Sequence, residues 1–339
     1  MELIFISILS ILYLIILNYI LIKYNFCLDK ASSSEKHKLF LTDKENTIPI
    51  SGSLFFIPFI CYFLRDQSIY FLIISFGVFV IGFLSDIKVF KSPKLRLVIQ
   101  ISLIFSFVYL FSDLEINTRI EYLDNFNSDE VYRIFLVTLC FLVLINGSNF
   151  IDGVNVLCSL NFVIILIISY LLLKNIGYEK DFVYIFYLII PLIVFCFFNF
   201  YNKNFLGDGA VYGLSFLIGY FLINLSLIDD KISPYFVANL LFYPAFENLF
   251  TIVRRILFKQ KNYLPDNSHL HHLIFNYIKE KKIVKKKFLI SSFVGILINA
   301  YLLIIYLIGM TNYSDTKFQI FLLFFNISVY IFVYRKLIK

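Results

Sequence analysis

Apolar runs of about twenty residues, each closed by a short polar break, recur along the chain from Glu2 to its C-terminal end. A hydrocarbon core about 30 Å thick takes roughly 20 residues of helix per crossing. The runs predict eleven transmembrane helices, at about 2–23, 48–64, 68–85, 95–112, 131–147, 156–174, 182–200, 209–227, 235–253, 288–309 and 318–335. The second run is short and holds Pro58, which leaves open a tilted or partly re-entrant segment and a count of ten. The runs are continuously apolar and lack the period-two alternation of a membrane barrel. Helices then satisfy every backbone group in lipid. The first run, Leu3 to Leu21, exceeds a signal-peptide core and lacks a basic leader and a small-residue cleavage site, so it is expected as a retained helix. No internal repeat is visible. The expectation is an all-α integral membrane protein, one polytopic bundle of ten or eleven helices forming a single domain over residues 1–339.

Lysine and arginine fix the expected orientation. With loops assigned alternately to two sides, one side collects Lys23, Lys30, Lys36, Lys38 and Lys44, then Lys88, Lys91, Lys94 and Arg96, then Lys203, the run from Arg254 to Lys287, and Arg335, Lys336 and Lys339. The other side holds only Arg65, Arg119, Arg133, Lys174, Lys180, Lys231 and Lys317, with an acidic segment from Asp113 to Glu130. The basic side is expected to be cytoplasmic, in a bacterial inner membrane, with the N-terminus outside and the C-terminus inside.

Composition agrees with this picture and narrows it. The 339-residue chain is 60% hydrophobic and only 16% charged, with a mean hydropathy of +0.83, beyond what a soluble core of this length requires. Its net charge of +7 resides in cations that flank helices and form no RNA-binding motif, so no nucleic-acid partner is expected. The basic stretch Lys279 to Lys287 is suited to anionic lipid headgroups. Cys27, Cys61, Cys140, Cys158 and Cys196 are scattered singly, with no metal-ligand spacing, and read as small apolar residues.

Four polar clusters stand out at helix ends: Ser85-Asp86 with Ser92-Pro93-Lys94-Leu95-Arg96; Asn146 to Asn155, containing Asn149 and Asp152; Gly207-Asp208-Gly209; and Arg254-Arg255 followed by Pro265-Asp266 and His269, His271 and His272. All are expected in loops on the basic side, which supports one cytoplasm-facing cleft. Singly, each has a plainer reading. Asp86 is readable as capping a loop, Asp208 as a tight-turn residue between glycines, and Asp152 as an Asx turn. Zinc would need further ligands, and Asp266 is the one near candidate. Guanidinium forks and imidazole N–H groups instead suit a diphosphate. Carboxylates beside phosphate-gripping cations imply Mg²⁺, with Mn²⁺ an alternative, held by Asp208 with Asp152 or Asp86. The reaction class suggested is phosphoryl transfer at the membrane face. Glu247, two turns inside the ninth run, is seven residues from Arg254 and on nearly the same helix face, which leaves an intrahelical pair or an active-site role open.

These residues resemble the polyprenyl-phosphate N-acetylhexosamine-1-phosphate transferases. The resemblance extends from Lys36-His37 and Ile48-Pro49-Ile50-Ser51-Gly52 to the His-Leu-His-His segment. Ser85-Asp86 lies where the family shows paired aspartates, Ser92 to Arg96 looks like its basic stretch, Asn149-Phe-Ile-Asp152-Gly153 matches Asn-x-x-Asp-Gly, and Gly207-Asp208 matches Gly-Asp. The separated histidines are closer to the WecA branch than to MraY. The resemblance implies Asp86, Asp152 and Asp208 as catalytic residues, Asp208 and Asp152 on Mg²⁺, and Asn149, Lys94, Arg254, Arg255, His269, His271 and His272 on substrate. It implies UDP-N-acetylhexosamine and undecaprenyl phosphate as substrates and UMP as the leaving group, in the initiation of a surface polysaccharide; membrane lipids and a homodimer are the other partners considered. Three departures stand against it: Ser85 replaces the first aspartate, Asn155-Val156 replaces Asp-Gly or Asn-Gly, and Ile50-Ser51-Gly52-Ser53 lacks a double glycine. A serine binds metal weakly and is no carboxylate base, so the competing readings are an impaired homologue that binds lipid phosphate or a transporter. The latter should show repeated halves and midplane polar groups.

Overall fold

The computed structural model describes residues 2–29, 47–65, 67–111, 114, 116–127, 129–257, 268–282, 284 and 286–338. Lys36-His37 and Pro265-Asp266 of the sequence reading lie outside the described residues. The fold is all-α and polytopic, with fifteen described α-helices and one two-stranded ribbon. Among the described residues nine helices are long and apolar enough to cross a membrane: α1 (Glu2–Lys23), α4 (Ile69–Asp86), α5 (Pro93–Leu110), α7 (Glu130–Ile151), α8 (Leu157–Asn175), the Phe182–Phe200 span that ends in α9 (Phe186–Phe200), α10 (Gly207–Ile228), α14 (Lys287–Thr311) and α15 (Thr316–Leu337).

The helices begin where the sequence supplies an acceptor for orphan N–H groups. Ser68 accepts from Phe71 N at 3.2 Å, Asp129 from Val131 N at 2.8 Å, and Asp315 from Lys317 N at 2.9 Å, while Pro93 follows Ser92 at the start of α5. The most buried helix is α10, which packs along α4. A Cβ on Gly82 of α4 would strike the Asp208 carbonyl, so a glycine there lets the two backbones meet beside Asp208. Lower in the bundle, Phe107 and Phe216 lie 4.9 Å apart and Phe141 and Phe216 5.2 Å apart, joining α5, α7 and α10 through aromatic packing.

Two of the eleven expected segments are not simple spans. The second is a pair of short helices, α2 (Gly52–Phe55) and α3 (Ile57–Phe63), broken at Phe56 ahead of Pro58. Phe56 packs against Phe195 at 5.5 Å and Phe63 against Tyr184 at 5.1 Å, so the pair runs antiparallel to the Phe182–Phe200 span. The ninth is α11 (Pro234–Leu240) and α12 (Phe242–Leu257), bent by 76°. Pro244 has no N–H to give the Leu240 carbonyl, which removes the bond that would carry the helix across the break. The bend leaves Leu249, Ile252, Val253, Ile256 and Leu257 of α12 exposed and turns its polar face inward.

Strand β1 (Leu28–Asp29) pairs antiparallel with β2 (Ile48–Pro49), Leu28 opposite Pro49. The chain before α10 joins this ribbon, with Phe205 N donating to Pro49 O at 2.9 Å and Gly52 N to Phe205 O at 3.1 Å. The ribbon thus sits at the bundle end where α4, α7 and α9 finish and α5, α8 and α10 begin.

Candidate active site

The N-terminus of α10 is the centre of the site. Gly207 has φ +83°, a left-handed conformation that favours glycine, and a Cβ there would press on Asp86 Oδ2 and Ser53 Oγ at 2.8 Å each. Asp86, the last residue of α4, accepts from Asp208 N at 2.8 Å, Gly209 N at 3.1 Å and Ser53 Oγ at 2.6 Å. It thus caps the start of another helix, α10. A carboxylate at a helix N-terminus also meets the positive end of the helix dipole.

Asp208 lies in the first turn of α10. Its Oδ2 receives the Ser85 hydroxyl at 2.7 Å and the Arg96 guanidinium at 2.6 Å. Arg96 Nη1 also donates to Ser85 Oγ at 2.5 Å. Ser85 therefore bridges Arg96 and Asp208, which gives this departure from the aspartate pair a defined role.

Asp152 follows the last turn of α7, and two loops are tied together to bring it to Asp208. Asn199 Oδ1 accepts from Val156 N at 2.5 Å, and its Nδ2 donates to Asn204 O at 2.7 Å. Ser291 Oγ accepts from Asn155 N at 2.8 Å. Val156 has φ +56°, a strained position for a β-branched residue and one where glycine would be at ease. Burial, followed by the Asp208 and Asp86 carboxylates, pushes Asp152 well above the usual carboxylate range, against a bond from the Gly207 backbone.

Such mutual repulsion is the condition a hard cation relieves. Among the described residues no group of three or more His, Cys, Asp or Glu side chains could hold a metal by itself. Asp152 and Asp208 as a pair of carboxylates fit Mg²⁺, which takes one or two carboxylates with phosphate and water completing its octahedron.

The histidines close the far wall. His269 precedes α13 (Leu270–Glu280), and His271 and His272 lie in its first turn, in a helix and not in the expected loop. Helical geometry likewise takes in Asn146 and Asn149 at the end of α7, Asp208 in α10, and Arg254 and Arg255 in α12. A Cβ on Gly153 would come within 2.6 Å of His271 Nε2 and 2.8 Å of His272 Nε2, so the glycine after Asp152 admits the rings. His271 is fully buried, and burial followed by His272 and His269 pushes it well below the ordinary histidine range. Glu247 does not pair with Arg254. Its Oε1 is 2.8 Å from His269 Nδ1, and its Oε2 accepts from Tyr330 at 2.7 Å. Arg254 donates to Ser268 O and to the Tyr334 hydroxyl, both at 3.1 Å.

One cleft of about 1150 Å³ has Asp86, Asp152, Asp208, Asn149, Arg255, His269 and His272 on its walls. Lys94, Arg254 and His271 are not among its lining residues. Lys94 is exposed in the first turn of α5, and Arg254 and His271 are buried behind the wall. The cleft continues past the polar groups along Leu97 and Ile101 of α5, Leu139 and Leu142 of α7, and Ile252 of α12. Arg96 and Ser53 are the groups to which sequence reasoning gave no site role, and the pairing of Glu247 with His269 is one it did not foresee. Position 96, one helical turn inside α5 and level with the Asp208 turn, was the available signal for the first.

No match is found among curated protein sequences. Residues 68–226, from the start of α4 nearly to the end of α10 and so including Asp86, Arg96, Asp152 and Asp208, match the profile of Glycosyl transferase family 4, which supports transfer of a sugar phosphate to a lipid carrier as the general activity of this membrane protein.

Proposed function

We propose that this protein transfers an N-acetylhexosamine 1-phosphate from a UDP-sugar, UDP-N-acetylglucosamine in the first instance, to undecaprenyl phosphate with release of UMP. The observation that carries this reading is the continuity of the cleft. A wall of carboxylates, Arg255 and histidines suited to a metal and a diphosphate runs directly into an apolar groove between α5, α7 and α12, where a prenyl chain can lie while its phosphate reaches Asp208. Polar groups gathered at one end of the bundle speak against a transporter. The basic loops at that end support a cytoplasmic cleft in the inner membrane, with the N-terminus outside and the C-terminus inside. The separated histidines favour the WecA branch, and the product would initiate a surface polysaccharide.

Asp208 and Asp152 would hold Mg²⁺, and Mn²⁺ would suit the same oxygens. Bound there, the ion supplies charge neutralisation at the phosphoryl oxygens. Arg255, His269 and His272 grip the diphosphate by charge-assisted hydrogen bonds, and Asn149 presents its amide from the end of α7. An oxygen of the lipid phosphate attacks the β-phosphorus, a new P–O bond forms, the bond from that phosphorus to the bridging oxygen breaks, and UMP leaves with the electron pair. Asp86 serves by fixing the Gly207-Asp208 turn.

The test is UMP release by detergent-purified protein with Mg²⁺, undecaprenyl phosphate and a panel of UDP-N-acetylhexosamines. Release that requires lipid, stops with EDTA and is abolished in folded Asp208→Asn is the expected result. No release with any donor from well-folded protein would overturn the reading in favour of a homologue that binds lipid phosphate without turnover, for which Ser85 is the observation.

A further inference from the structure

We propose that Glu247 is a positioning residue that sets the tautomer and orientation of His269 for the donor diphosphate; this rests on the transferase reading of the cleft. Glu247 is 0% exposed, on the inward face of α12. Its two oxygens are committed to partners distant in sequence. One lies 2.8 Å from His269 Nδ1, with Thr251 Oγ1 3.5 Å from the same nitrogen, and the other accepts the Tyr330 hydroxyl from α15 at 2.7 Å. Aromatic rings wall the pair. Phe150 lies 5.3 Å from the His269 ring, and Phe246 and Phe250 lie 4.9 Å and 5.2 Å from Tyr330.

A carboxylate has only lone pairs to offer, so the shared proton must sit on Nδ1. Nε2 is then the ring nitrogen left for the cleft that His269 lines. When the ring carries a second proton, Nε2–H points at the phosphate oxygens with Glu247 as counterion behind it. Helix fastening alone does not account for the charge. A buried ion pair is a weak way to join helices, because desolvation offsets most of the attraction, and a neutral pair would hold α12 to α15 equally well. What an ionised carboxylate adds is control of the imidazole, as outer partners of functional histidines do elsewhere.

Full-length protein in detergent, with Mg²⁺, undecaprenyl phosphate and UDP-N-acetylglucosamine, tests this through Glu247→Ala, Glu247→Gln, His269→Ala and the Glu247→Ala/His269→Ala double variant. Glu247→Ala should lower kcat/KM for the donor by about 10–100-fold while leaving the lipid KM unchanged. The double variant should lose no more than His269→Ala alone. Glu247→Gln, whose amide oxygen can still accept from Nδ1–H but which carries no charge, should hold the ring and recover only part of the loss. ¹⁵N-histidine spectra should show His269 protonated at Nδ1 in the wild type and released from that state in Glu247→Ala. Losses that multiply in the double variant, or an unchanged His269 tautomer without Glu247, would overturn the proposal. A wild type inert with every donor would sink the transferase reading instead, and the spectra would still decide whether Glu247 sets the ring.

Discussion

Asp86→Asn separates a cap from a catalyst. In the wild type the Asp86 carboxylate accepts three hydrogen bonds, from Asp208 N, Gly209 N and Ser53 Oγ. Asparagine keeps one acceptor oxygen, which can stay on Asp208 N at 2.8 Å. Its amide nitrogen cannot accept, so Gly209 N and the Ser53 hydroxyl lose their partner, and the negative charge at the start of α10 disappears. Two stranded donors at about 1–2 kcal/mol each give a loss of about 2–4 kcal/mol. The dipole term adds a few tenths to about 1 kcal/mol more. Thermal unfolding in detergent should show a lowered midpoint, and transfer should fall because the Gly207-Asp208 turn shifts. Ser53→Ala should reproduce part of both effects, since Ser53 Oγ also accepts from Ala210 N at 3.2 Å. The reasoning would be refuted by an Asp86→Asn protein with a wild-type midpoint and no transfer, because a carboxylate that matters to chemistry alone is not a cap.

Three further perturbations bear on the same end of the bundle. Ser85→Asp should lower transfer, because its carboxylate has no proton to give Asp208 and adds a charge beside it; wild-type or raised UMP release from folded protein would show that the hydroxyl bridge is dispensable. Gly153→Ala should leave the unfolding midpoint nearly unchanged but cut transfer about 100-fold, because a Cβ 2.6 Å from His271 Nε2 must displace the histidine wall by up to an ångström; wild-type kinetics would mean that the wall adapts. His271, depressed by burial and its two neighbours, favours the fold in its neutral form. That contribution is complete above its unfolded value of about 6.5 and is lost as the pH falls from there through the folded value, so the unfolding midpoint should drop in mild acid and His271→Gln should flatten the slope. An identical slope in the variant would assign the acid sensitivity elsewhere.

The spans were legible because lipid imposes a length and a polarity on every crossing, and nine long apolar helices lie where the runs predict them. The bend between α11 and α12 was not, since Pro244 sits inside a run that reads as continuously apolar and the 76° turn depends on what α12 packs against. The membership of the cleft was partly legible. Asp86, Asp152 and Asp208 announced themselves as carboxylates at the ends of apolar runs. Their division of labour did not, because it is set by which backbone each one meets, and the Gly207 turn meets Asp86. Lys94 and Arg96 looked alike as members of one basic stretch. Two residues on a helix point some 200° apart, so one reaches Asp208 and the other is exposed. The partners of Glu247 lie 22 and 83 residues away, beyond any local spacing rule.

Charge balance gives the serine at position 85 a physical rationale. Asp86, Asp152 and Asp208 bring three carboxylates to the start of α10, where Arg96 is the guanidinium bound to Asp208, and Asp152 is raised first by burial and then by the other two carboxylates. A divalent cation with Arg96 would match three negative charges, whereas a fourth carboxylate at position 85 would leave the site short again before any phosphate arrives. Nor does the proposed reaction need a base there. The second pKa of a phosphate monoester is about 6, so near neutral pH the lipid phosphate is largely dianionic, with no proton to remove before it attacks. A hydroxyl that fastens Arg96 to Asp208 then does what the site requires of position 85: it holds the Asp208 carboxylate still without adding charge. It follows that Ser85→Asp, which loses the hydroxyl donor to Asp208 and adds charge, should harm transfer more than Ser85→Ala, which only loses the bridge.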